Sequence, residues 1–140
     1  MHPFRKAVEE RDERAMQALL ADDVVFTSPV AFKPYVGKPI TAAILRGVLR
    51  IFEDFRYIRE IHDDGGRDHA FVFETGIAGA PGVKITGCDF LHFDDDGLID
   101  DFMVMVRPLS GAKALSEAMG AQFDRIQREA LELADESTTA

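Results

Sequence analysis

Ile85-Thr86-Gly87-Cys88-Asp89-Phe90-Leu91-His92-Phe93, followed by Asp94-Asp95-Asp96-Gly97 and then Leu98-Ile99, decides how this chain is read. An apolar stretch rich in β-branched and aromatic residues meets a tight Asp-Gly turn, and a second alternating stretch starts at once. Two long strands joined that closely must run antiparallel. The breaks Asp63-Asp64-Gly65-Gly66-Arg67 and Gly79-Ala80-Pro81-Gly82 mark off two more, so strands are predicted over 55–62, 69–78, 83–93 and 98–107 as a meander. In the last, Phe102, Val104 and Val106 alternate with Met103 and Met105, making both faces apolar. Helices would cover one face, and a second copy of the chain is the economical cover for the other.

Upstream, Phe4, Ala7, Val8, Ala15, Met16, Leu19 and Leu20 recur at helical spacing, with Asp12 as a cap between two short helices. Ala21-Asp22-Asp23-Val24-Val25-Phe26-Thr27-Ser28-Pro29 reads as a strand ended by its proline. Residues 29–39 form a loop, and Ile40, Ala43, Ile44, Val48, Ile51 and Phe52 stripe a helix over 39–53. A last helix is predicted over 109–134, with 135–140 as a frayed tail. The pattern is α+β, in one domain over 1–134.

The 140 residues carry a net charge of −9 and one cysteine, Cys88. Such a charge repels nucleic acid and anionic bilayers. A lone cysteine excludes an internal disulfide and a cysteine-rich zinc site, and no apolar run reaches the ~18 residues of a membrane span. A cytoplasmic protein without metal or cofactor is expected.

Asp89 is a carboxylate inside an apolar strand, where an unpaired charge costs several kcal/mol. Two readings stand open: an acid facing a cavity that holds a ligand's carbonyl, phenol or carboxylic acid, or an aspartate satisfied by backbone N–H groups. Glu74 is the other strand carboxylate, either sharing a proton with Asp89 or lying solvated outside. His92 falls on the opposite face from Asp89. His62 and His69 flank a hairpin end without a recognised metal spacing, and Asp94-Asp95-Asp96-Gly97 is a turn rather than a calcium loop. Tyr35 sits in the proline-rich loop, either binding a polar substituent or packed on the following helix. Arg107 is expected to pair with a nearby acid.

The order of elements, with the phrases at 21–29, Gly87-Cys88-Asp89-Phe90-Leu91-His92-Phe93 and Asp96-Gly97-Leu98-Ile99, resembles the NTF2-like superfamily of cystatin-like fold. Within it the chain is similar to SnoaL-like and ketosteroid isomerase-like proteins over residues 2 to about 110. The resemblance implies a conical barrel, a curved mainly antiparallel sheet wrapped around the N-terminal helices, with an apolar pocket inside and a homodimer through the outer sheet face. It places Asp89 where isomerases hold the acid that donates to a substrate oxyanion. It also places Ser28 where they carry the general-base aspartate, and Phe4 where they carry a tyrosine, which argues against their mechanism. The water-holding set of the superfamily's epoxide hydrolases is absent too, since Gly87 stands two residues before Asp89. Asp89 as a single acid/base in isomerase, cyclase or hydratase chemistry is compatible with the resemblance. So is a non-catalytic binding or scaffold module. The implied ligand is a small apolar molecule of polyketide, steroid or terpenoid type. Ser28 and Tyr35 are expected at its rim, and Phe4, Phe26, Ile44, Val48, Phe52, Leu91, Phe102 and Val104 are core residues of which some line the cavity.

Overall fold

A computed structural model describes the backbone of residues 2–139 and the side chains through residue 136. Helix α1 (Pro3–Glu9) starts with proline in its first turn and is capped by His2, whose Nδ1 accepts from the Phe4 amide at 3.0 Å. Asp12 caps α2 (Glu13–Ala18) by accepting from Ala15 N at 3.1 Å. The corner between them turns at Arg11, at φ 54°. Its guanidinium donates to the carbonyls of Leu49 and Phe52 at 2.7 and 3.3 Å, tying the corner to the end of the next long helix.

Strand β1 (Leu20–Thr27) is followed by β2 (Tyr35–Val36), a two-residue strand inside the segment read as loop. It pairs antiparallel with β1, Tyr35 opposite Phe26. Helix α3 (Lys38–Ile51) buries Ala43, Ile44, Leu45 and Leu49 on one stripe. The backbone becomes extended at Phe52, so β3 (Phe52–His62) starts earlier than its sequence signal. Strands β4 (Asp68–Ile77), β5 (Lys84–Phe93) and β6 (Ile99–Arg107) complete the predicted antiparallel meander. β6 also pairs parallel with β1, giving the order β2-β1-β6-β5-β4-β3. The curved sheet does not close, and the helices complete the enclosure that the expected cone requires.

Strand parity sorts the side chains. Phe71, Phe73, Ile85, Asp89, Leu91 and Phe102 point to the concave, helix-covered face and are buried. On the outer face Phe90, Met105 and Ile61 are exposed, while Val72, Cys88 and Met103 are half-buried. The predicted single C-terminal helix is two: α4 (Leu109–Ala121) and α5 (Phe123–Thr139). Gly120, a poor helix former, precedes the break. Gln122 leaves helical geometry at φ −115°, ψ 12°, and its side chain engages α3. α5 continues to Thr139, through most of the stretch expected to fray; Ala140 lies outside the described residues. No described helix is long and apolar enough to cross a membrane.

Candidate functional site

β3 must bring aromatic residues at 52, 55 and 57 to one face, which strict alternation forbids. The register against β4 moves from Glu53↔Gly76 to Arg56↔Glu74, so one extra residue is absorbed there. Asp54 takes it at φ 54°, a backbone conformation aspartate tolerates. Beyond this bulge Phe55 and Tyr57 turn inward, Tyr57 opposite Phe73. A second shift, between Tyr57 and Arg59, leaves Ile58 exposed on the outside.

Asp89 arrives from β5, opposite Phe71, with β4 lying between it and Tyr57. The Tyr57 hydroxyl donates to Asp89 Oδ2 at 2.7 Å. Both side chains are buried, Asp89 7% and Tyr57 5% exposed. Among the described residues no backbone N–H bonds the Asp89 side chain; Tyr57 is its partner. Of the two readings of Asp89, the backbone-satisfied one is therefore not the structure found.

Burial in an apolar environment pushes the Asp89 carboxyl up to about 7, against the hydrogen bond from Tyr57, which acts downward. Tyr57 is raised well above the usual phenol range by its burial first, then by the Asp89 charge and hydrogen bond. At neutral pH Asp89 thus populates both acid and carboxylate, while Tyr57 stays a donor.

The pair sits in a cavity of about 70 Å³ walled mostly by carbon. Phe4, Phe26, Ile44, Val48, Phe52, Phe102 and Val104 line it, with Ser28 just beyond the end of β1. Its walls also include Phe55, Phe73, Leu115 and Met119. The Ser28 hydroxyl accepts from Val30 N at 3.1 Å, a local turn contact that shapes the adjoining loop. The Phe4 ring lies tilted against Tyr57, ring centroids 6.5 Å apart, so a phenol from β3 stands beside the residue of α1.

Three further candidates lie outside the cavity lining. Tyr35 is fixed in β2 and packs against Phe123 at 6.2 Å between ring centroids, outside the cavity lining. Glu74 has the opposite parity to Phe73 and points outward, where it accepts from Arg56 at 3.1 Å. Leu91 shares Asp89's face but lies one step further along β5, in the solid core rather than at the cavity.

His92 is on the outer face as predicted, its Nδ1 2.6 Å from Asp100 Oδ1, and this hydrogen bond raises its pKa. His62 and His69 face each other across the hairpin end, Nδ1 to Nδ1 at 2.5 Å. Arg107 is exposed, and no described acid pairs with it, contrary to expectation. Asp94 is a turn residue whose Oδ1 accepts from Asp96 N and Leu98 N, both at 2.9 Å. Among the described residues no group of three or more His, Cys, Asp and Glu side chains is arranged to hold a metal ion.

Tyr57 is the cavity residue bonded to Asp89 that the sequence reading missed. Its signal was present in Phe55 and Tyr57, two apolar rings alternating within a predicted strand, but their face depends on the bulge at Asp54.

Residues 2–102 match the SnoaL-like domain family. A steroid Δ-isomerase from Pseudomonas aeruginosa superposes with TM-score 0.80 at 40% identity, covering 89% of each chain. An uncharacterised bacterial protein of cystatin-like fold from Silicibacter pomeroyi gives TM-score 0.79 at 34% identity, over 86% of this chain and 82% of that one. An LEH-like epoxide hydrolase from M. tuberculosis shares the fold at TM-score 0.61 and 22% identity, over 88% and 91% of the two chains. No curated protein sequence matches. With the family match spanning most of the chain, and two structures this similar at more than 30% identity, the chain belongs to the SnoaL-like family of cystatin-like, NTF2-like proteins.

Proposed function

We propose that the cavity binds a small apolar molecule carrying one carbonyl or phenol oxygen, and that Asp89 performs cofactor-independent acid/base chemistry on it, of isomerase or cyclase type. The observation that carries this is the buried Tyr57–Asp89 hydrogen bond in an otherwise carbon-lined cavity. A carboxyl poised near neutrality both takes and returns a proton efficiently. In an isomerisation Asp89 would accept the proton from carbon next to the carbonyl and redeliver it to another carbon of the same molecule, with no net proton consumed. Tyr57 orients the carboxylate by its O–H, and once Asp89 has taken the proton that same single O–H turns to the developing oxyanion, returning to Asp89 when the proton is redelivered. The similarity to a protein described as a steroid Δ-isomerase favours that class, whereas Ser28 in place of a second carboxylate makes Asp89 the only acid in the described lining.

The test is binding of 2-naphthol, a fluorescent phenol, to the wild-type chain, Asp89→Asn and Tyr57→Phe, with native mass spectrometry for co-purified molecules. Saturable binding that weakens by about tenfold or more in Asp89→Asn, a loss of about 1.4 kcal/mol, supports the reading. Equal binding by all three, or none, defeats it. Proton exchange at the α-carbons of an apolar ketone, followed by NMR, separates catalysis from carriage; a ligand bound without exchange leaves a non-catalytic module.

We further propose a homodimer through the outer sheet face. Phe90, Met105 and Ile61 are exposed there to 37, 53 and 48%, next to half-buried Val72, Cys88 and Met103. Sedimentation of Met105→Glu as a monomer, against a wild-type dimer, is the expected result; a wild-type monomer removes the proposal.

A further inference from the structure

We infer that helix α4 selects ligands by size: Leu115 and Met119 form the adjustable wall of the Asp89 cavity, and α5 straps that wall onto α3. The inference rests on the reading of this cavity as a ligand site.

The present cavity, about 70 Å³, is room for a few waters, one needing roughly 10–15 Å³ on this measure. A fused-ring molecule enters only if some wall yields. The sheet side is held by hydrogen-bonded pairing of β3 to β6 across the cavity floor, and the deep rings brace one another: Phe4 is 5.5 Å from Phe102 and 5.8 Å from Phe71 between centroids. α4 is held differently. At its start Gly111 lies so close to Ile85 that an added Cβ would come within 2.8 Å of it, which anchors this end on β5. Its far end, carrying Met119, is located through the break at Gln122. There the Gln122 amide donates to Gly47 O at 2.8 Å, and its carbonyl accepts from Arg50 Nε at 2.9 Å.

The strap continues along α5. Ile126 is fully buried on the Gly47 notch, where a Cβ would stand 2.8 Å from Ile126 Cδ1. One turn on, Glu129 pairs with Arg50 at 2.8 Å and lies 3.7 Å from Arg46. Met119 itself is half-buried and unbranched, a side chain that repacks at low cost. The wall thus combines a firm mount with a soft tip. Both helices lie beyond residue 102, where the family match stops.

The experiment compares dissociation constants for phenol, 2-naphthol and estradiol, phenols of one, two and four rings, across wild type, Met119→Ala, Met119→Phe and Gly47→Ala, each first checked by circular dichroism. Met119→Ala is expected to improve binding of the larger phenols relative to phenol by about tenfold, and Met119→Phe to shift the ratio the other way. Gly47→Ala, which lifts Ile126 from its notch, is expected to speed both association and dissociation of 2-naphthol several-fold. If wild type binds phenols but the size ratio is the same in both Met119 variants, the α4 inference falls while the ligand site stands. If none of the phenols binds any variant, the ligand-site reading falls and takes this inference with it.

Discussion

Tyr57 and Asp89 are hydrogen-bonded at 2.7 Å although they stand on β3 and β5, strands separated by β4. The contact spans β4 on the concave side, where its inward rings Phe71 and Phe73 lie, and it exists because the sheet curves and the bulge at Asp54 turns Tyr57 inward. The acid in the cavity is therefore held by a phenol rather than by backbone.

Removing that phenol has a defined electrostatic consequence. The Tyr57 hydrogen bond favours the carboxylate, so Tyr57→Phe raises the Asp89 pKa further above about 7. Carboxyl-carbon NMR titration measures it directly. The same variant leaves a buried acid without its partner and costs about 1–3 kcal/mol of stability in urea unfolding. A downward pKa shift would show that Tyr57 is not the group holding Asp89.

Stability should depend on pH through Asp89 in an unusual direction. Its folded pKa of about 7 lies above the unfolded value near 4, so between these the folded state binds more protons. The stabilisation is complete below about pH 4 and disappears as pH rises through about 7, a change of about 4 kcal/mol from this one group. The measurement is the difference in unfolding free energy between wild type and Asp89→Asn at pH 4, 6 and 8. Asparagine does not titrate, so the wild type should lose ground to it as pH increases; a constant difference would place Asp89 at an ordinary pKa.

Gly87 probes the opposite wall. A methyl group there would stand 2.3 Å from Phe73 Cζ, and a ring packed among Phe52, Phe55 and Tyr57 has little freedom to withdraw. Gly87→Ala should cost about 1–3 kcal/mol and weaken 2-naphthol binding, because Phe73 is displaced into the cavity. Thermal unfolding and the naphthol titration report the two effects; unchanged values in both would mean that Phe73 repacks freely.

Glu74 serves as the control carboxylate. It pairs with Arg56 at 3.1 Å on the outer face, both side chains well exposed, at 40 and 58%. Solvent screening limits such a pair to about 0–1 kcal/mol. Glu74→Gln should leave naphthol affinity and its pH dependence unchanged, and any loss comparable to that of Asp89→Asn would contradict the outward placement.

The four-strand meander, the helices before it and the placing of Asp89 within an apolar strand were legible in the chain, because each is carried by local signals: turn residues at the breaks and side-chain periodicity. The face of Phe102 and Val104 followed in the same way, and so did the outward position of His92. Tyr57 was not legible, since alternation carries across a strand only while its register is unbroken, and β3 shifts twice around this residue. Neither was the split of the C-terminal helix at Gln122, which is made by contacts with Gly47 and Arg50 far away in the chain. For Tyr35 and Glu74 the sequence left two placements open, and tertiary structure chose between them: a short strand pairing captures Tyr35, and the relative parity of β4 and β5 carries Glu74 outward. Local sequence, through turn chemistry and side-chain periodicity, determined the four-strand meander and that Asp89 lies within one of its apolar strands. Only the tertiary structure, through bulges, sheet curvature and the packing of α4 and α5, decided which group Asp89 meets and how much room lies beside it.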